Sequence, residues 1–384
     1  MLTRYYWGGG QVPPPWLLLH AHLQIFGLFG VLIVGVAHDL VPRFAGRAVA
    51  HAAPALFGLL AGGLLARAAG TAVGSPATVA GATLLEALAF ALFAVWLGRA
   101  LAAPPLALTR RHLVAAAGWL AAALVVEAAL RGVALATGDG TPDPRGMRGV
   151  YAMALLGGVG GFMLGVLLRA APMFVAGWRV PPGLARVAPW TLGLGLVLAV
   201  AGEARGGAAG AVALARLGEA AAIGTIATVA LAGGALGRPG APRSLLARGG
   251  PELWLFRLAI GSATAAALGS LVAMAIAWRG IPLGLLADAL RHLVTVGFLT
   301  SIVVAMAFRL VAAFEGVPVR WPRLRALAFA ALVVAVGLRS SEVLADHVWA
   351  GILPWLPLSG LLVWLALAAV FVTLLVAARG RPLT

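Results

Sequence analysis

The chain has 384 residues, of which 62% are hydrophobic and 10% charged, and its formal charge of +16 comes from arginine because no lysine is present. Many apolar stretches of twenty or more residues place it among polytopic α-helical membrane proteins, and arginines in short loops between them report topology, not nucleic-acid binding. The absence of cysteine excludes disulfides, thiolate metal sites, cysteine-ligated iron–sulfur clusters and covalent heme attachment.

Eleven spans follow in chain order, at about 16–40, 47–69, 78–101, 111–136, 148–172, 187–204, 209–236, 252–278, 283–312, 323–345 and 352–378. Connections rich in Pro and Gly, such as TGDGTPDPRG and GRPGAPRS, separate them. Backbone groups in hydrocarbon must be satisfied internally, so helices are the expected spanning element. The first span is too long and too histidine-bearing for a cleaved signal core. Loops after odd-numbered spans and the C-terminus carry fifteen arginines, among them Arg43, Arg110, Arg179 and Arg381; the opposite side carries six, among them Arg4, Arg131 and Arg205. That asymmetry predicts an outward N-terminus and a cytoplasmic C-terminus in the inner (plasma) membrane.

The first and ninth spans share one pattern in one register. Residues 22–46 read HLQIFGLFGVLIVGVAHDLVPRFAG, and residues 292–316 read HLVTVGFLTSIVVAMAFRLVAAFEG. His22 aligns with His292, Gly27 with Gly297 and Phe44 with Phe314, at an offset of 270. A weaker copy at 152–177, offset by 130, aligns Gly157 with Gly27 and Gly165 with Gly35 but has Ala152 at the histidine position. The chain thus reads as one membrane domain, 1–384, of three pseudo-repeats of about four helices, at about 16–140, 147–279 and 283–378.

Two imidazoles at matched depth on related helices are what a heme iron needs as axial ligands. A neutral imidazole in the membrane must use both nitrogens, one on a metal and the other on an acceptor. Asp288, four residues before His292 on the same helical face, is the candidate acceptor. His20 faces another side of the first helix and is a candidate for a second metal or a neighbour contact. Arg67 and Arg339, near the outer ends of the second and tenth spans, suit heme propionates through a bidentate fork, or snorkel to headgroups. Glu86, Glu127, Glu203, Arg216 and Glu219 are intramembrane charges that need partners or a water-lined path, and Arg216 with Glu219 form a natural pair. His38 and His51 flank the inner end of the first helix. His112, beside Arg110 and Arg111, is expected at a solvated end, and His347 on the outer side. The methionines Met153, Met163, Met173, Met274 and Met306 share no spacing and read as core packing.

The motifs H-A-H-L-Q-I-F-G at 20–27 and R-H-L-V-T-V-G at 291–297 resemble signatures of NnrS-type membrane proteins, themselves distantly similar to subunit I of heme–copper oxidases. The resemblance implies a non-covalent heme b, leaves copper open, and links the chain to the nitric oxide response. It also implies the layout of heme–copper oxidase subunit I. In that superfamily the helix matching residues 150–174 supplies one copper ligand and the next helix two more. Here Tyr151, Ala152 and Met153 stand in the first, and residues 187–204 contain no histidine. The resemblance therefore implies one bis-histidine heme through His22 and His292 and argues against an oxygen-reducing binuclear centre.

The sequence reading is an all-α inner-membrane hemoprotein in a lipid bilayer, with a redox partner or nitric oxide as the remaining partner and no nucleic acid. A heme-free secondary transporter, or a structural subunit of a respiratory complex, stands as the alternative.

Overall fold

A computed structural model describes residues 12–46, 48–49, 52–173, 175, 177–237, 250–315 and 321–379; His51 lies outside them. Among the described residues every regular element is helical. Eleven helices are long and apolar enough to cross a membrane: α1 (Pro14–Ala45), α2 (Ala53–Ala72), α3 (Pro76–Ala100), α4 (Ala107–Thr137), α5 (Pro144–Ala170), α6 (Pro182–Arg205), α7 (Ala209–Gly233), α8 (Pro251–Trp278), α9 (Leu286–Arg309), α10 (Pro322–Ala345) and α11 (Ala350–Val376). They match the eleven expected spans, with ends shifted by a few residues.

The ends follow from local chemistry. Proline opens α3, α5, α6, α8 and α10, where its missing N–H costs nothing and its fixed φ suits a first turn. Asp143 caps α5 by accepting from the Gly146 N–H at 2.8 Å. Gly46, Gly138 and Gly234, all at positive φ, close α1, α4 and α7.

Helix α5 is the centre of the bundle, with 89% of its most apolar window buried. Glycine makes this possible. A Cβ on Gly158 would lie 2.4 Å from Leu120 Cδ2 of α4, so a larger residue could not sit there without moving its neighbour. Helices α6 and α7 approach still closer: a Cβ on Gly218 would stand 2.2 Å from the backbone nitrogen of Ala199. Small residues permit such backbone contact in membranes, where packing drives association. His112, expected at a solvated end, is instead 3% exposed; it packs under Gly165, whose added Cβ would meet His112 Cβ at 2.9 Å.

Three stretches widen from α-helical to i→i+5 hydrogen bonding: Leu23–Gly30 in α1, Met153–Gly160 in α5 and Leu293–Thr300 in α9. Their starts differ by 130 and 270 residues, and the residue before each is His22, Ala152 and His292. Wide turns of this kind are rare and are frequently found at functional sites.

Backbone contact between α6 and α7 gives a direct test. Gly218→Val should destabilise the protein by about 1–3 kcal/mol, lowering its melting temperature in detergent. Gly261→Ala in α8, whose added Cβ meets nothing within 4 Å, should not lower it.

Candidate cofactor-binding site

His22 lies eight residues into α1, Glu86 ten into α3, and Glu127 ten from the end of α4. At 1.5 Å per residue these are about 12–15 Å from the same face, so the three side chains share a layer. His22 is fully buried and packs on Phe26, ring centroids 4.5 Å apart. Its Nε2 lies 2.5 Å from Glu86 Oε2 and its Nδ1 3.3 Å from Glu127 Oε2. The second contact is an ion-pair distance without hydrogen-bond alignment, and neither Nδ1 nor that carboxylate oxygen has another partner among the described residues.

Arg67 of α2 ties the two carboxylates together. Its Nε donates to Glu86 Oε1 at 3.2 Å, one terminal nitrogen to Glu127 Oε1 at 2.7 Å, and the other to Thr83 Oγ1 at 2.7 Å. Thr83 passes its own proton to the Val79 carbonyl at 2.8 Å. Arg131, one turn beyond Glu127, donates to Glu127 Oε1 through Nε at 2.8 Å. Gly63 makes room: a Cβ there would lie 2.5 Å from Glu86 Cγ. Helices α1 to α4 thus converge on one buried cluster in which two arginines face two carboxylates and a histidine. Buried charges of this kind persist only when each has its partner. Arg67 is fully engaged by these three partners, so its guanidinium organises the carboxylates around His22.

The second pole is on α9. The His292 side chain is 30% exposed. Its Nδ1 lies 2.8 Å from the backbone carbonyl of Asp288 and 3.4 Å from Glu342 Oε2. A carbonyl only accepts, so Nδ1 carries a proton, and in the neutral ring Nε2 keeps its lone pair. The Asp288 carboxylate itself pairs with Arg291 at 2.7 Å; the acceptor that Asp288 offers His292 is its main chain. Arg339 of α10 is buried, and its guanidinium lies 3.5 Å from Glu342 Oε2. His20 is half-buried, in electrostatic range of both His292 and Arg339. Both histidines therefore have Nδ1 turned to an acceptor, with a glutamate and an arginine close by.

Two further charge clusters satisfy the remaining intramembrane groups. Arg216 pairs with Glu219 at 2.6 Å, as its spacing predicts, and also with Glu203 at 2.7 Å, which Arg148 holds from α5 at 2.8 Å. At the opposite end Arg325 reaches Glu252 at 2.5 Å. His38 Nδ1 donates to the Val34 carbonyl at 2.7 Å, and the ring stacks on Trp96 at 4.2 Å, away from the cluster. The His347 side chain lies outside what the structure describes. Among the described residues no group of three or more His, Asp or Glu is arranged to hold a bare metal ion. The parts that sequence reasoning missed are Glu86 and Glu127 as partners of His22; their equal depth was the available signal.

Removing the central cation tests this account. Arg67→Met should cost about 3–5 kcal/mol, because it strands two buried carboxylates, and the loss is read as a lower unfolding temperature in detergent. Combining it with Glu86→Gln and Glu127→Gln should recover part of that loss.

The family model described as NnrS protein matches residues 1–382, essentially the whole chain. No curated protein matches it. The chain belongs to the NnrS family.

Proposed function

We propose that this NnrS-family membrane protein is a b-type hemoprotein, its heme held without covalent bonds between α1 and α9 by His22 and His292, acting in electron transfer or the nitric oxide response. The observation that carries the reading is the orientation of the two imidazoles. His292 has Nδ1 on the Asp288 carbonyl, leaving Nε2 as a lone-pair donor. His22 Nδ1 and Glu127 Oε2 face each other at 3.3 Å, both otherwise without partners. A histidine that holds a heme iron would need Nδ1–H on an acceptor and Nε2 free for the metal. One adjustment is required, since Glu86 lies against His22 Nε2 and its carboxylate must give way to iron.

The residues divide the remaining work. The Asp288 carbonyl orients His292 and fixes its tautomer, and Glu127 would do the same for His22 once Glu86 has moved aside. Arg67 holds Glu127 in place, and Arg339 supplies a cation on the α10 side for a propionate. Heme, when bound, supplies a one-electron couple or a coordination site for a gas, tuned by its ligands and their surroundings. The arginine asymmetry supports an outward-facing site in the inner membrane.

A second reading uses His20, which is half-buried and within electrostatic range of His292, as the partner imidazole or as a ligand to copper. Absorption spectra separate the two. Protein purified in detergent should show a Soret band that both His22→Ala and His292→Ala abolish and His20→Ala retains. A band lost in His20→Ala but kept in His22→Ala would move the ligand to His20. Colourless, folded wild-type protein after heme supplementation would sink the heme proposal and favour a heme-free transporter.

A further inference from the structure

Below the histidine layer, α1, α5 and α9 part around a cavity of about 290 Å³. Much of its wall comes from corresponding positions on the three helices, and Leu374 of α11 completes it. Ile33, Met163 and Val303 line it, at offsets of 130 (163 − 33) and 270 (303 − 33). One turn further on Val36, Val166 and Met306 line it at the same two offsets. Ile33 is eleven residues beyond His22, and Val303 eleven beyond His292, so the cavity begins about 16 Å inward of the imidazoles. Met163 and Met306, which share no spacing as a set of methionines, meet here across the same space.

The chemistry of the walls is uniform. Every lining side chain but one is apolar or a glycine, and the exception is Asp39 at the exposed rim, whose carboxylate pairs with Arg43 at 3.1 Å. None of the buried polar atoms that lack a partner belongs to a lining residue. Water in a cavity needs two to four polar partners, and an apolar cavity of about 150 Å³ stays dry yet binds benzene or xenon. The deep walls are closed, with Ile33, Phe162 and Val166 no more than 2% exposed. Val36, Val303 and Ala307 are only partly buried, which leaves the mouth facing between helices in the hydrocarbon layer.

We infer that this cavity is a binding site for small, uncharged, apolar molecules that dissolve in the bilayer, up to about the size of a single aromatic ring. Ions and hydrogen-bonding solutes have no partner inside it, and its volume lies just below the range of about 300–1,000 Å³ typical of drug-sized ligands. The site is independent of whether heme binds above it.

Xenon is the probe. Crystals of the full-length protein pressurised with xenon should show an anomalous peak between α1, α5 and α9, and Ala307→Phe should abolish that peak while keeping the wild-type melting temperature. Should Ala307→Phe fail to fold, Val36→Phe fills the same space from α1. A wild-type protein with no xenon peak there overturns the inference, as does a peak unchanged in a folded filled variant. Continuous density of a lipid chain that excludes xenon also overturns it, by making the cavity a lipid groove. The heme spectra are read separately, so either proposal can fail alone.

Discussion

The Arg67 guanidinium, buried between Glu86 and Glu127, is the interaction on which the N-terminal half of the bundle depends. In hydrocarbon a carboxylate has no water to lean on, so each of these two must find a cation or lose its charge. One arginine meets both, and by doing so it fixes the relative height of α2, α3 and α4. His22 then enters a frame already set, its nitrogens facing oxygens from two different helices. Buried ionic clusters are weak contributors to net stability but strong arbiters of geometry, because one misplaced member leaves a charge stranded. A membrane protein rich in alanine and leucine has few other means of specifying which helix sits at which depth.

The rest of the molecule repeats this logic at lower intensity. Glu203 between Arg148 and Arg216 pins α5, α6 and α7. Glu252 with Arg325 pins α8 to α10 at the other end. His292 and Arg339 gather round Glu342 where α9 meets α10. Between these pins the helices pack through glycine and alanine, with backbone contact between α6 and α7 as the extreme case. Polar groups set position; small residues set distance.

Much of this was legible in the sequence. The eleven spans follow from apolar length, and the connections between them from proline and glycine. The pairing of Arg216 with Glu219 follows from their spacing along one helix. Other parts were not legible because they depend on contacts between helices. Glu86 and Glu127 announce themselves as charges needing partners, but only packing shows that His22 is one of them. Arg67 read as a partner for a propionate or for the headgroups, and in the fold it engages two carboxylates and a threonine. His112 stands beside two arginines in sequence, yet the glycine at 165 draws it into the interior. The wide turns leave no sign in composition.

Those wide turns carry a consequence for the lower halves of their helices. Each regular helical residue advances the side-chain direction by about 100°, and a wider turn changes that angular phase. Upstream of each loosened stretch stands the residue at position 22, 152 or 292; downstream stand the residues that wall the inner cavity. Tightening just one of the three back to regular α-helix would swing its lower half out of step with the other two. A wall residue such as Val303 would then point toward lipid, while the histidine above it kept its place.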